Sequence, residues 1–183
     1  MSEEEKIEEE FLVIDDLKPK VRINIKLGVL RTLAKVALGE LIGGFAAWMA
    51  DKYMKKRLAS KVTERFKEYF EDVEPGSPKD LETEKKAEAV FLSNENLYIV
   101  YKTGMFKKKK KAIALPVDAI KAFEKKGLFG KFLRLYFEIP YEEKGKKKTV
   151  KMEVFLKSKK LDDYLRELGR LKAPTPTTPT TTE

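Results

Sequence analysis

The chain has 183 residues and a formal net charge of +9, with 39 Lys and Arg against 30 Asp and Glu, and contains neither Cys nor His. Disulfides, thiolate nucleophiles, cysteine metal sites and the usual imidazole base are therefore excluded. With 42% hydrophobic and 38% charged residues, a single core beneath a densely charged surface fits this length.

The charge is unevenly spread. Residues 1–16 carry eight acids and one lysine, whereas residues 84–172 carry 24 Lys and Arg against 12 Asp and Glu. Gln is absent and Asn occurs only as Asn24, Asn94 and Asn96. Abundant Lys and Glu with few thermolabile side chains point to a hot environment, where lysine runs are commonplace on surfaces. The start, "MSEEEKIEEE", has no cationic and apolar sections of a secretory signal, so a cytoplasmic protein is expected, with peripheral contact at the inner membrane face.

In chain order, residues 1–16 read as an acidic disordered N-terminus, too polar to offset the entropy of ordering. "FLVIDD" within it is a short adhesive segment. "VRINIKL" alternates, with Val21, Ile23, Ile25 and Leu27 on one side, which predicts a short strand over 21–27. From Gly28 to Val73 the period becomes helical. Leu30, Leu33, Ala37, Leu41, Phe45 and Trp48 recur at three- and four-residue steps, and Leu58, Val62, Phe66, Tyr69 and Val73 follow. Residues 21–73 thus read as a helical region, and the Pro/Gly-rich "EPGSPKD" marks a linker over 74–83.

Strands are predicted at 87–92, 97–103, 110–115, 120–125, 132–139 and 149–157, separated by turn chemistry such as "SNEN", "KTGMFKK" and "YEEKGKKK". "KKLDDYLRELGRL" closes the domain as an amphipathic helix presenting Leu161, Tyr164, Leu165, Leu168 and Leu171. Residues 173–183 are a disordered Thr/Pro tail.

Six short strands followed by one helix over residues 84–172 resemble the bacterial and archaeal pleckstrin-homology-like and GRAM-like domains. The carrying residues are Leu92-Ser93-Asn94, Leu97 to Lys102, the basic hairpin Lys107 to Lys111, Ile113 to Ile120, and the glycine-rich turn Gly127 to Lys131. Glu95 and Asn96 depart from the pattern, which usually places Arg or Lys in that turn. The resemblance implies a pleckstrin-homology-like antiparallel barrel or sandwich with a C-terminal capping helix, and with the helical region read from periodicity before it the expected fold class is α+β. It implies a binding or scaffolding role and specifies no ligand.

Three sets of residues are candidates for function. The first is basic: Lys107, Lys108, Lys109, Lys110 and Lys111, then Lys126 and Lys131, then Lys146, Lys147 and Lys148, all in predicted turns. If these loops gather at one end of a barrel, they form a cationic rim for an anionic surface, where each lysine contributes about 1 kcal/mol. The competing reading is that lysines simply prefer solvent. The second set is apolar: Met105, Phe106, Leu128 and Phe129 beside those lysines would act as shallow membrane wedges, or else close the barrel end. The third is Gly39, Gly43, Ala47 and Trp48, spaced for close helix packing on a neighbour, on another subunit through residues 28–57, or on a membrane. The uncharged stretch "LIGGFAAWMA" is only half of the roughly 20 residues that a membrane-spanning helix needs.

No phosphate loop, dinucleotide fingerprint or metal spacing occurs, so neither cofactor nor catalytic residue is implied. The expected function is a non-enzymatic module on an anionic lipid surface. A nucleic-acid accessory protein using the same lysines, or a protein-docking scaffold, are the alternatives.

Overall fold

The computed structural model describes residues 10–26, 69, 72–128, 131–143 and 145–173. In chain order these form β1 (Phe11–Asp15), β2 (Lys20–Lys26), β3 (Glu74–Pro75), a 3-10 turn (Pro78–Leu81), β4 (Lys85–Lys86), β5 (Ala89–Ser93), β6 (Asn96–Thr103), β7 (Lys109–Pro116), a second 3-10 turn (Val117–Ala119), β8 (Ile120–Lys126), β9 (Phe132–Glu143), β10 (Lys146–Lys157) and helix α1 (Leu161–Lys172). The strands build two five-stranded sheets, β1-β5-β6-β7-β3 and β4-β2-β10-β9-β8, antiparallel throughout except for the parallel β3–β7 pair.

This corrects the expected α+β fold class. The described residues are mostly β with one α-helix, and no N-terminal helical region occurs among them. The expected helical residues up to 68, with Gly39, Gly43, Ala47 and Trp48 and the packing face 28–57, lie outside the described residues. The N-terminal "FLVID", read as part of a disordered tail, is instead a full strand. Its strand signal is hidden by a register shift between Phe11 and Val13, which breaks the alternation. As a result Val13 faces one apolar cluster while Phe11 and Ile14 face another. β2 keeps clean alternation, with Val21 and Ile23 fully buried, and pairs along β10.

The facing sides of the two sheets share one core. Val90, Leu92, Leu97, Ile99, Tyr101, Ile113 and Leu115 come from the first sheet, and Ile23, Leu133, Leu135, Phe137, Met152, Val154 and Leu156 from the second. The first sheet is covered on its other face too. There Ala89, Phe91, Tyr98, Val100, Ala112 and Ala114 form a second cluster with Phe11, Ile14 and Tyr69. Burial on both faces explains why β5, "AVFLS", reads as a continuous apolar run instead of an alternating one. The second sheet alternates instead. Its outer face carries Arg22 over the Phe155 ring at 4.4 Å, and Arg134 bridging Glu124 and Glu153 at 2.9 Å each.

Leu161, Tyr164 and Leu168 of α1 are buried in the shared core, and Leu165 and Leu171 pack against it. These are the positions that a 3.6-residue period lays along one helix face.

The register also fixes which connections share an end of the molecule. The end of β1, the start of β5 and the β6–β7 hairpin lie together, because Asp15 pairs with Val90, Ala89 with Val100, and Thr103 with Lys109. In the second sheet the start of β2, the end of β10 and the β8–β9 loop lie together. Two links join these into one end: Ala87 N–H donates to the Pro19 carbonyl at 2.8 Å, and Ser158 hydroxyl donates to Asp15. The β7–β8 connection and the β9–β10 turn at Gly145 lie at the other end.

Candidate anion-binding end

The β6–β7 hairpin begins at Gly104, whose φ of +107° suits glycine alone; a Cβ there would stand 2.4 Å from the Lys107 carbonyl oxygen. This bend throws the next two side chains out of the molecule. Met105 is 91% and Phe106 97% exposed. An apolar pair so fully in water, on a hairpin anchored by eight cross-strand pairs, calls for an explanation that core packing does not provide.

The five-lysine run is divided by the fold. Lys107 and Lys108 belong to the turn and are exposed, whereas Lys109, Lys110 and Lys111 lie in β7. There Lys109 approaches Glu74 and Lys111 approaches Asp80, each at 3.9 Å, and Lys110 sits over the Tyr69 ring at 5.7 Å. Asp80 also accepts a 2.7 Å hydrogen bond from Tyr101, whose phenol is pushed far above its ordinary value by burial and then by that carboxylate. Three of the five lysines in this run thus have partners within the protein.

A different cluster completes the turn. Lys18, Lys86, Lys102 and Lys108, with Ala87, Glu88 and Gly104, line a cleft of about 240 Å³. Four elements supply it: the β1–β2 turn, β4, the end of β6 and the hairpin. Among the described residues its only close carboxylate contact is Glu88 with Lys102, at 3.8 Å. Lys18 is held at φ +53°, a left-handed conformation that costs a residue with a Cβ about 1 kcal/mol and is unusual before a proline. The Asp15 carboxylate accepting from Leu17 N–H, and the Ala87–Pro19 bond, hold this turn in place.

The other expected lysines do not join this cleft. Lys126 ends the edge strand β8, at the same end but four places from β4 and on the order of 19 Å away at the usual strand spacing, and the exposed Lys131 directly precedes β9, three places from β4. Lys126 lies 3.5 Å from Glu124, and Leu128 in that loop is 78% exposed. Phe129 lies outside the described residues. Lys146, Lys147 and Lys148 begin β10 at the opposite end of the twelve-residue β9, so all three lysine loops cannot form one rim.

Sequence reasoning misses Lys18, Lys86 and Lys102, since no local pattern links residues so distant in the chain. Among the described residues, Arg134 bridges two carboxylates, Arg166 lies 3.2 Å from Asp163, and Arg170 3.5 Å from Glu167. Among the described residues no group of acidic side chains could hold a metal ion, and no helix is long and apolar enough to cross a membrane. Comparison with protein-family models, with curated proteins and with solved structures finds no match to the chain.

Proposed function

We propose that the protein is a non-enzymatic binding module that attaches peripherally to anionic membrane surfaces through its β6–β7 hairpin. The observation that carries this reading is the pairing of the exposed Met105 and Phe106 with the exposed Lys107 and Lys108 on one hairpin turn. Apolar side chains gain by entering the headgroup–acyl boundary, and adjacent lysines hold the hairpin there against anionic lipid. Nucleic acid is the weaker reading. Met105 offers nothing to phosphate, and among the described residues Arg22, Arg134 and Arg166 are engaged in ring stacking or ion pairs on the second sheet and on α1.

Vesicle flotation tests it, with phosphatidylcholine alone against phosphatidylcholine containing phosphatidylserine, over a salt series and beside a duplex-DNA gel shift. Anionic vesicles should bind and neutral ones should not, with about a five-fold loss for K107A and again for K108A. The Met105→Ser/Phe106→Ser pair should lose binding at every salt concentration. Equal binding to neutral vesicles sinks the lysine contribution. Retention of DNA without vesicle binding moves the reading to nucleic acid.

A further inference from the structure

The wedge and the cleft are adjacent: Gly104 is part of the cleft wall and the residue directly before Met105. Inserting Met105 and Phe106 about 5–10 Å below the surface therefore brings the cleft mouth to headgroup depth. Resting on the membrane reading, we propose that the cleft lined by Lys18, Lys86, Lys102 and Lys108 captures a lipid headgroup carrying a phosphomonoester.

The chemistry follows from the lining. Among the described residues the four cations lining the cleft are lysines, compact point charges that approach a phosphate from several directions, with no arginine among them to impose planar, two-pronged recognition of a carboxylate. Four ammonium groups against one carboxylate favour a dianion over the singly charged phosphodiester of common anionic lipids. The cleft, of about 240 Å³, has room for a phosphate group and part of its hydration. The cations come from four separate elements whose backbones are cross-linked, so their positions along the chain are set before an anion arrives and only the exposed side chains must order around it. Glu88 has a defined part. Its carboxylate lies 3.8 Å from Lys102 within the cleft and competes with an incoming anion.

The test uses the full chain and two vesicle sets matched in surface potential, one containing phosphatidic acid and the other phosphatidylserine. Glycerol 3-phosphate serves as the soluble probe, followed by amide chemical shifts. Phosphatidic acid should be preferred at least five-fold. The Lys18→Ala/Lys86→Ala pair should abolish that preference and weaken phosphatidylserine binding only by the two lost charges, about five-fold each, since the apolar tip of the hairpin is intact. E88Q should strengthen phosphatidic acid and glycerol 3-phosphate binding alike by several-fold. Met105→Ser/Phe106→Ser should lose vesicles but still shift the amides of residues 18, 86–88 and 104 with glycerol 3-phosphate. Equal binding to both vesicle sets overturns the headgroup proposal and leaves membrane attachment standing. Amide shifts with glycerol 3-phosphate in a wild type that binds no vesicle overturn the lipid source.

Discussion

Tyr164 donates its hydroxyl hydrogen to the Asp15 carboxylate across 3.0 Å, tying the C-terminal helix to the end of the first strand. Asp15 is wholly buried and also accepts from Ser158, while the neighbouring Ile14 carbonyl accepts from Lys160 at 2.6 Å. Burial, then the nearby Asp15 charge, raises the Tyr164 phenol well above its ordinary value, so it remains a donor throughout the neutral range.

Asp15→Ala should therefore be costly, because it strands the hydroxyls of Tyr164 and Ser158 in the interior. A loss of about 1–3 kcal/mol is expected from such unsatisfied groups. Tyr164→Phe removes one donor and leaves the carboxylate its other partners, so it should cost less. Urea unfolding curves of both variants check the order; a milder effect for Asp15→Ala would show that α1 docks by apolar contact alone.

Two glycines predict opposite outcomes for the same substitution. Gly104→Ala places a Cβ against the Lys107 backbone at a left-handed φ and should destabilise by about 1–3 kcal/mol. Gly169 lies within α1 with nothing within 4 Å of an added Cβ, so Gly169→Ala should stabilise by about 0.5–1 kcal/mol. Thermal midpoints that move the same way in both variants would contradict the hairpin geometry.

The readable part of this fold is the part with regular periodicity. Leu133, Leu135 and Phe137 alternate with Arg134 and Tyr136 because β9 is dry on one face and wet on the other, and the strand is plain in the sequence. β1 is not plain, because its register shift puts Phe11 and Val13, two residues apart, toward different clusters. For the site, composition exposes Met105, Phe106 and the lysines beside them, since turn signals are local. It cannot show that Lys109 and Lys111 turn toward Glu74 and Asp80, nor that Lys18 meets Lys108, because both depend on strand pairing across the chain.

Glu153 makes stability fall in acid. Its carboxyl is held below its ordinary 4.5, first by the hydrogen bond from Arg134 and then by Lys26, against the opposing effect of burial. A carboxyl whose folded value is depressed adds stability above its unfolded value, and that contribution disappears as pH falls through the folded one. The urea midpoint of the native protein should thus decline below about pH 5, and Glu153→Gln should lower the neutral plateau and flatten that decline. The effect should persist in salt, since Glu153 is 5% exposed and a shielded pair is screened weakly. An unchanged acid limb in Glu153→Gln would assign the decline to other carboxylates.

Phe91 and Phe106 have the same side chain in opposite surroundings, the first fully buried between Phe11 and Tyr69 rings, the second 97% exposed. Phe91→Ala should cost about 3–5 kcal/mol through lost contacts and the cavity left behind. Phe106→Ser should change the unfolding free energy by less than about 0.5 kcal/mol, as surface substitutions do, and should reduce self-association at high concentration. A stability loss in Phe106→Ser comparable to Phe91→Ala would mean that this ring packs on the protein in solution. The hairpin would then have no free apolar tip to present to a membrane.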